Sequence, residues 1–182
     1  MRITGGRFGR RPLEGPPRHS RGTRPTTDRV REALFSALGS RMDVSGARVL
    51  DLYAGTGALG LEALSRGAEH VTFVEQHGPT LALAKRNAAS LGALGACTFH
   101  RADALVHLNR QPARYDLVLA DPPYALDGLA ELPDCLLDHL LPGGRVVLEH
   151  DSRHDFSGHP ACVFSRDYGS TRLSMFGADP EP

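Results

Sequence analysis

The sequence predicts an α/β fold in which a mostly parallel sheet is covered by helices on both faces. Short apolar runs alternate with segments of helical periodicity, a glycine-rich turn follows the first of these runs, and only a short turn separates the last two. Strands that alternate with helices form crossover units, which pair their strands in parallel. A chain of 182 residues with 41% hydrophobic content can enclose one core of this kind.

The predicted elements follow one another in a regular order. The first helix lies between Pro25 and Gly39, where apolar residues recur at helical spacing and a glycine ends the pattern. The next strands are predicted at residues 49–53, 71–75, 97–100, 117–120 and 146–149, and the helices between them at residues 58–66, 80–91, 104–108 and 129–141. Two further apolar runs, 161–166 and 171–176, predict a closing antiparallel hairpin around Gly169.

The charge of the chain is concentrated at one end, although the formal net charge is zero. Residues 1–31 hold nine arginines against Glu14 and Asp28, a local net charge of +7, and the rest of the chain carries −7. We predict that residues 1–24 form a basic arm and that residues 25–182 form the globular domain. Because glycines and prolines interrupt the arm, we expect residues 1–20 to add little to the hydrophobic core. The positive charge favours a polyanionic partner.

Several classes of protein do not fit the composition. The three cysteines are widely spaced and form no C-x-x-C pair, so the sequence predicts neither a disulfide framework nor a zinc site. The His and Asp residues between positions 150 and 159 fit no zinc spacing either. No apolar stretch reaches the roughly 18 residues of a membrane span, and the N-terminus lacks the apolar part of a signal peptide. We therefore expect a cytoplasmic protein without membrane or metal, and a monomer because no feature demands an oligomer.

The turn after the first strand carries the first chemical motif, Asp51-Leu52-Tyr53-Ala54-Gly55-Thr56-Gly57-Ala58-Leu59-Gly60. Open α/β sheets bind ligands at the carboxyl ends of their strands, and glycine lets the backbone approach a ligand closely. The motif predicts a nucleotide-type cofactor above Gly55 and Gly57, with the Asp51 carboxylate directed toward a cationic part of it.

The ends of the next two predicted strands supply further candidates for the same ligand. Glu75 lies twenty residues past Gly55 and ends the second strand, where a carboxylate can accept hydrogen bonds from both ribose hydroxyls. Asp103 and Ala104 stand at the end of the third strand, where an adenine ring would lie. Together the three strand ends predict one continuous nucleotide site.

The glycines alone do not decide which of two cofactors the turn would bind. Gly55, Gly57 and Gly60 also satisfy the G-x-G-x-x-G pattern of dinucleotide-binding proteins, so an NAD-dependent oxidoreductase remains an alternative. An acid four residues before the first glycine favours S-adenosylmethionine, because sulfonium and ammonium groups attract a carboxylate and a pyrophosphate does not. The sequence also offers no candidate acid or base for hydride transfer.

A second motif, Asp121-Pro122-Pro123-Tyr124, follows directly on the fourth predicted strand. An exocyclic amine of a base is a weak nucleophile because its lone pair is delocalised into the ring, so an enzyme must bind both amino protons and aim the lone pair at the methyl group. The Asp121 carboxylate and the Pro122 carbonyl can accept those two hydrogen bonds, and the Tyr124 ring can stack on the base. The motif therefore predicts methylation of an exocyclic amine.

Longer strings of the sequence resemble the RsmD-type family of ribosomal RNA guanine-N2 methyltransferases. They are Arg2-Ile3-Thr4-Gly5-Gly6, residues 24–35 (RPTTDRVREALF) and residues 60–68 (GLEALSRGA). The resemblance covers nearly the whole chain and departs at Tyr53, where Phe is more usual. It implies a class I, Rossmann-like, S-adenosylmethionine-dependent methyltransferase that modifies the N2 amino group of a guanine in small-subunit (16S) ribosomal RNA.

The resemblance also implies a role for each set of candidate residues. The cofactor contacts would be Asp51, Ala54, Gly55, Gly57, Glu75, Asp103 and Ala104. The catalytic residues would be Asp121, Pro122, Pro123 and Tyr124. The phosphates of ribosomal RNA, free or in the small ribosomal subunit, would be bound by Arg2, Arg7, Arg10, Arg11, Arg18, Arg21 and Arg24.

Alternatives to this function stay open at the level of sequence. A DNA adenine-N6 or cytosine-N4 methyltransferase would use the same Asp-Pro-Pro-Tyr chemistry. A non-catalytic RNA-binding protein on a methyltransferase scaffold is disfavoured by the intact set of candidate residues. Methylation at C5 of a pyrimidine is disfavoured too, because that reaction needs a cysteine nucleophile and none lies beside residues 121–124.

Overall fold

The centre of the protein is a seven-stranded sheet, seen in a computed structural model that describes residues 1–15, 27–110 and 114–177. Its strands are β1 (Arg48–Leu52), β2 (His70–Val74), β3 (Cys97–His100), β4 (Tyr115–Ala120), β5 (Leu140–Asp151), β6 (Cys162–Tyr168) and β7 (Thr171–Phe176). The helices are α1 (Asp28–Gly39), α2 (Ala58–Ser65), α3 (Gly78–Ser90), α4 (Ala104–Arg110) and α5 (Leu132–Leu137).

The strand order confirms the predicted α/β class. The order is β3-β2-β1-β4-β5-β7-β6, with β1 to β5 paired in parallel and β7 antiparallel to both of its neighbours. The chain runs outward from β1 to β3 and then returns to place β4 on the other side of β1. This reversal creates a crevice at the carboxyl ends of β1 and β4, the position where open α/β sheets bind ligands.

Helices cover both faces of the sheet because its central strands are apolar on both sides. In β4, Leu117 and Leu119 pack into one buried cluster while Val118 and Ala120 pack into the other. The first cluster receives apolar side chains from α1, α2 and α3, and the second receives those from α4 and α5. Alternate residues of a strand point to opposite faces, so a continuous apolar run is what a sheet covered on both sides requires.

The C-terminal third shows the largest difference from the predicted elements. The helix predicted at residues 129–141 is only Leu132–Leu137, and β5 begins at Leu140 rather than at residue 146. Leu140 pairs with Tyr115 of β4, so the end of the apolar run enters the sheet instead of extending the helix. The predicted antiparallel hairpin is confirmed as β6 and β7. Among the described residues, no helix is long and apolar enough to cross a membrane.

The N-terminal segment, residues 1–15, packs against the domain. Ile3 and Leu13 are 0% and 5% exposed and belong to the cluster that includes α1 and α2. A short antiparallel contact holds the segment together, with the Ile3 amide donating to the Arg11 carbonyl at 3.0 Å. The expectation that residues 1–20 add little to the core is therefore wrong for residues 1–15. Single apolar residues between glycines carry no periodicity, which is why the sequence did not predict their burial.

A buried carboxylate ties this segment to the helices. The Glu62 carboxylate of α2 accepts the backbone N–H groups of Thr4 and Gly5 at 2.8 and 2.9 Å. It also pairs with the guanidinium groups of Arg31 and Arg66 at 3.3 and 3.0 Å. The side chains of Arg31 and Glu62 are fully buried. One acidic residue thus joins α1, α2 and the N-terminal segment.

The segment lies so close to α2 that one position admits only glycine. Gly6 has a φ of +71°, and a Cβ at this position would lie 1.9 Å from the Ser65 carbonyl oxygen. The Ser65 hydroxyl accepts the Phe8 N–H at 2.9 Å and donates to the Gly5 carbonyl. The close approach of Gly6 to the Ser65 backbone and the hydrogen bonds of the Ser65 hydroxyl fix the path of residues 5–8 across the end of α2.

Candidate functional site

The two sequence motifs meet at the crevice between β1 and β4. Leu52 and Ala120, the last residues of these strands, are register partners in the parallel ladder. The segment after Leu52 is the glycine-rich turn, and the segment after Ala120 is Asp121 to Tyr124. The predicted cofactor turn and the predicted base-binding motif are therefore neighbours, although they lie far apart in the chain.

Backbone hydrogen bonds hold the glycine-rich turn in one conformation. The Ala54 N–H donates to the Val74 carbonyl of β2 at 3.1 Å, and the Gly57 N–H donates to the Ala54 carbonyl at 2.7 Å. Gly55 and Gly57 have φ values of +55° and +79°, in the left-handed region that favours glycine. The turn therefore ends with Gly57 as the N-cap of α2.

The glycines of the turn have different surroundings. A Cβ on Gly55 would meet, among the described residues, only the Tyr53 carbonyl oxygen at 3.8 Å, so this face of the turn is open. A Cβ on Gly60 would lie 2.5 Å from a ring carbon of Phe73 and 2.9 Å from an Asp51 oxygen. Gly60 thus serves the close packing of α2 on the sheet, whereas Gly55 leaves room for a ligand.

Glu75 follows β2 directly and binds the glycine-rich turn. One carboxylate oxygen accepts the Gly55 N–H at 3.1 Å, and the other accepts the His77 N–H at 2.7 Å. An ionised carboxylate offers about four lone-pair positions. Glu75 is half-buried, and these two bonds leave acceptor capacity at the edge of the turn.

Asp51 lies beneath the turn and is only 1% exposed. Its carboxylate accepts the Gly60 N–H at 2.9 Å, which fixes the first turn of α2. Burial raises the pKa of Asp51 to about 8. The charge of Glu75 makes a smaller contribution in the same direction, and the hydrogen bond from Gly60 lowers the pKa. The side chain orders the turn from below, and its direct contact with a cationic ligand stays a prediction.

The raised pKa of Asp51 predicts a pH-dependent stability. The pKa of Asp51 is near 8 in the folded state and near 3.9 in the unfolded state. The contribution of Asp51 to the free energy of unfolding is therefore complete below about pH 4 and is lost as the pH rises toward 8. Relative to Asp51→Asn, the natural protein should lose up to about 1.4 kcal/mol of unfolding free energy per pH unit in this interval. Urea unfolding at several pH values measures the difference, with exposed Asp127→Asn as the control. Parallel pH profiles for the natural protein and Asp51→Asn would show that Asp51 is ionised throughout.

The third strand end carries Asp103 and Ala104 at the start of α4. The Asp103 carboxylate accepts the Val106 N–H at 3.0 Å and so caps the helix. Ala104 is 4% exposed, while Leu105 and Val106 are 37% and 43% exposed. This strand end combines a carboxylate with apolar surface, as a site for a planar nucleobase would.

The Asp121 to Tyr124 motif directly follows β4 and ends in a turn. Pro122 is buried, Asp121 is half-buried, and Tyr124 is 38% exposed. The Leu126 N–H donates to the Pro123 carbonyl at 2.9 Å, so the chain turns at Tyr124 and Ala125. The Tyr124 hydroxyl lies 2.8 Å from the Thr171 hydroxyl at the start of β7. The exposed aromatic ring is thus held at the rim of the crevice.

Four of the predicted RNA-binding arginines lie in the N-terminal segment, and their surroundings differ. The Arg2 guanidinium pairs with Asp28 at 3.6 Å, and the Arg7 guanidinium lies over the Phe8 ring at 4.6 Å. Arg11 donates to the Ser90 and Leu91 carbonyls at the C-terminal end of α3. Arg10 has a left-handed backbone with a φ of +70°. The remaining three, Arg18, Arg21 and Arg24, lie outside the described residues.

Two contacts of the site were not predicted from the sequence. Asn87 of α3 is 1% exposed, and its side-chain N–H group donates to the carbonyls of Glu14 and Thr56 at 3.1 and 3.0 Å. It therefore connects the N-terminal segment to the glycine-rich turn. A polar residue on the apolar face of α3 was the available signal. Thr171, the partner of Tyr124, carried no signal because strand ends vary freely in polarity.

Other polar clusters lie apart from the crevice. Among residues 1–15, 27–110 and 114–177, no three His, Cys, Asp or Glu side chains are grouped as a metal site requires. His150 is instead buried, with Nε2 2.9 Å from the Ser174 hydroxyl. A surface depression of about 250 Å³ involves Ser45, Asp116 and Gly144 at the opposite, amino edge of the sheet. It contacts neither motif.

Comparison with known proteins places the chain in a family. Residues 1–177 match the family described as conserved hypothetical protein 95. Ribosomal RNA small subunit methyltransferase D of Escherichia coli K12 is 39% identical over 139 residues, covering 76% of this chain and 68% of that protein. Its Haemophilus influenzae counterpart is 37% identical over 159 residues, covering 82% and 78%. The chain belongs to the RsmD-type methyltransferase family.

Solved structures similar to this RsmD-type protein show the same fold. The structure of yhhF from Escherichia coli has a TM-score of 0.82 at 31% identity, covering 97% of this chain and 96% of that one. A hypothetical protein of Thermus thermophilus has a TM-score of 0.81 at 30% identity, covering 98% and 99%. The predicted class I, Rossmann-like methyltransferase fold with its C-terminal antiparallel hairpin is confirmed.

Proposed function

We propose that this protein transfers a methyl group from S-adenosylmethionine to the exocyclic N2 amino group of a guanine in small-subunit ribosomal RNA. The observation that carries the proposal is the meeting of the glycine-rich turn and the Asp121 to Tyr124 motif at the crevice between β1 and β4. One motif suits a nucleotide-type cofactor and the other suits a planar base with an amino group. The names of the RsmD-type relatives favour ribosomal RNA over DNA as the substrate.

The described residues fit S-adenosylmethionine. The open face of Gly55 admits a ligand against the backbone, and Glu75 offers acceptors beside it for two ribose hydroxyls. Glu75 and Asp103 give this edge of the sheet a negative character, which suits a cofactor that carries sulfonium and ammonium charges and disfavours a pyrophosphate. The exposed apolar residues of α4 beside Asp103 suit an adenine ring.

The chain contributes positioning rather than covalent chemistry. The cofactor, when bound, supplies an electrophilic methyl group on a positively charged sulfur. The Asp121 carboxylate and the Pro122 carbonyl accept hydrogen bonds from the two amino N–H groups of the base, which turns its lone pair toward that methyl group. The Tyr124 ring stacks on the base, and its hydrogen bond to Thr171 fixes the ring in place. The amine becomes acidic once it is methylated, so its proton leaves to Asp121 or to water.

Binding of the cofactor tests this function separately from catalysis. Calorimetry should show binding of S-adenosylmethionine and of its demethylated product, with no measurable binding of NAD. Glu75→Ala should weaken that binding by roughly 1.5 to 3 kcal/mol, because charge-assisted hydrogen bonds to the ribose are lost. Glu75→Gln keeps one acceptor and should lose less.

Glu69→Ala is the matched control for the cofactor experiment. Glu69 is exposed and directly precedes β2, so it lies at the opposite end of the same strand. Its replacement should leave cofactor affinity unchanged. Tight binding of NAD, together with no binding of S-adenosylmethionine, would instead favour an oxidoreductase.

Attraction of RNA by the N-terminal segment gives a salt-dependence prediction. Because Ile3 and Leu13 of this segment belong to the core, charge is better removed by substitution than by deletion. Arg7→Gln with Arg10→Gln should reduce the salt-dependence slope of RNA binding by about 1.5, since each lost phosphate contact removes roughly 0.7 to 0.9. Filter binding at several salt concentrations measures this slope. The charge-matched control is Arg48→Gln with Arg110→Gln, two exposed arginines outside the segment. Equal slopes for both double variants would mean that another surface holds RNA.

A further inference from the structure

Tyr53 combines two unfavourable features at the edge of the candidate cofactor site. It has a φ of +56°, and only one other described non-glycine residue, Arg10, has a positive φ. Its hydroxyl oxygen is buried and makes no hydrogen bond within the described part of the chain. A left-handed backbone and an unpaired buried hydroxyl each destabilise a fold, and such features concentrate at functional sites.

The Tyr53 hydroxyl lies in a buried environment near Asp103. Tyr53 directly follows β1, and its ring packs against the apolar cluster shared with α4 and α5. Burial, together with smaller contributions from the charge of Asp103 and from the nearby Cys135, raises the pKa of Tyr53 to about 12. The phenol is therefore protonated at physiological pH and can donate a hydrogen bond. Its surroundings include Asp103, the residue that precedes α4 at the end of β3.

We propose that the Tyr53 hydroxyl donates a hydrogen bond to the adenosyl half of the cofactor and contributes to its selection. The inference rests on the proposed function, since it assumes that S-adenosylmethionine occupies this crevice. The methionine carboxylate is a poor partner, because the negative charges of Asp103 and Glu75 would repel it. The adenine ring and the ribose offer neutral acceptors instead. The bond satisfies a donor that the described protein leaves unpaired.

The test compares Tyr53→Phe with the natural protein in two measurements of opposite sign. The thermal midpoint of the ligand-free variant should be equal or higher, because the substitution removes an unpaired buried hydroxyl and keeps the ring. Affinity for the demethylated cofactor should fall about tenfold, as expected for one lost hydrogen bond. Affinity for 5′-methylthioadenosine, which lacks the amino-acid part, should fall by the same factor. Calorimetry gives both dissociation constants.

A control and the contrary outcomes separate this inference from the proposed function. Tyr115→Phe is the control, because Tyr115 is a buried tyrosine at the start of β4, the end of the strand away from the crevice. This substitution should leave both affinities unchanged. Equal affinities of the natural protein and Tyr53→Phe would overturn the inference alone. A loss restricted to the full cofactor, with 5′-methylthioadenosine unaffected, would also overturn it. A natural protein that is folded but binds neither compound would overturn the proposed function and the inference together.

Discussion

Asp121→Ala should lower methyl transfer by about a hundredfold or more, because an oriented acceptor in an enclosed site is lost. The fold and the cofactor affinity should stay close to those of the natural protein, since Asp121 is only half-buried and the glycine-rich turn is held by other residues. Single-turnover kinetics with saturating RNA measures the effect on the transfer step itself. Asp121→Asn keeps one acceptor oxygen, so its rate of methyl transfer should lie between those of the natural protein and Asp121→Ala.

Asp127→Ala is the matched control for Asp121→Ala. Asp127 is exposed and lies in the loop that follows the Asp121 to Tyr124 motif, so it tests for a general effect of negative charge near the site. Its transfer rate should remain within a few-fold of that of the natural protein. Near-normal turnover by Asp121→Ala would mean that the amino group is not held by this carboxylate.

Glu62→Ala should cause the largest loss of stability among the single changes considered. The substitution removes the carboxylate partner of the buried Arg31 and two acceptors for the backbone of the N-terminal segment. Breaking a buried ion pair by removing one partner costs about 3 to 5 kcal/mol. Urea unfolding measures the free energy. Faster trypsin cleavage within residues 1–15 would show release of the segment.

Two further variants separate the effect of the Glu62 charge from other effects of the Glu62→Ala substitution. Glu62→Gln retains the volume and one acceptor oxygen, so its loss should be smaller and should isolate the contribution of the charge. Glu32→Ala removes an exposed carboxylate from α1 and should change stability by less than about 0.5 kcal/mol. Unchanged unfolding free energy and unchanged cleavage in Glu62→Ala would mean that the N-terminal segment is held by its apolar contacts alone.

The parts of the fold that were predictable are those where the chemistry is local. Apolar strands that run into the glycine-rich turn and into Asp121 identified the two strand ends, because strand periodicity and glycine or proline turns depend on nearby residues. The burial of Ile3 depends on contacts with helices that lie far along the chain, and no local pattern reports it. The early start of β5 at Leu140 depends likewise on pairing with Tyr115. Propensity could not decide between helix and strand there.

The candidate site shows the same division. The positions of Glu75 and Asp103 at adjacent strand ends followed from the order of the strands. The role of Asn87 did not, because it joins Glu14 and Thr56, which only the folded chain brings together. The hydrogen bond from the Gly60 N–H to the Asp51 carboxylate beneath the turn was not predicted either, and the contact of Asp51 with a cationic ligand stays a prediction. No sequence pattern predicts a hydrogen bond between a carboxylate and a backbone N–H group nine residues apart.

Identification of the methylated nucleoside tests the central claim most directly. The protein is incubated with S-adenosylmethionine labelled in the methyl group and, separately, with small ribosomal subunits that lack this methylation, with free ribosomal RNA and with DNA. Digestion to nucleosides and chromatography then locate the label. We expect the label in ribosomal RNA or the small subunit as N2-methylguanosine, and its absence from the same reactions with Asp121→Ala. Label found only in DNA, or in a nucleoside other than N2-methylguanosine, would contradict the proposed function.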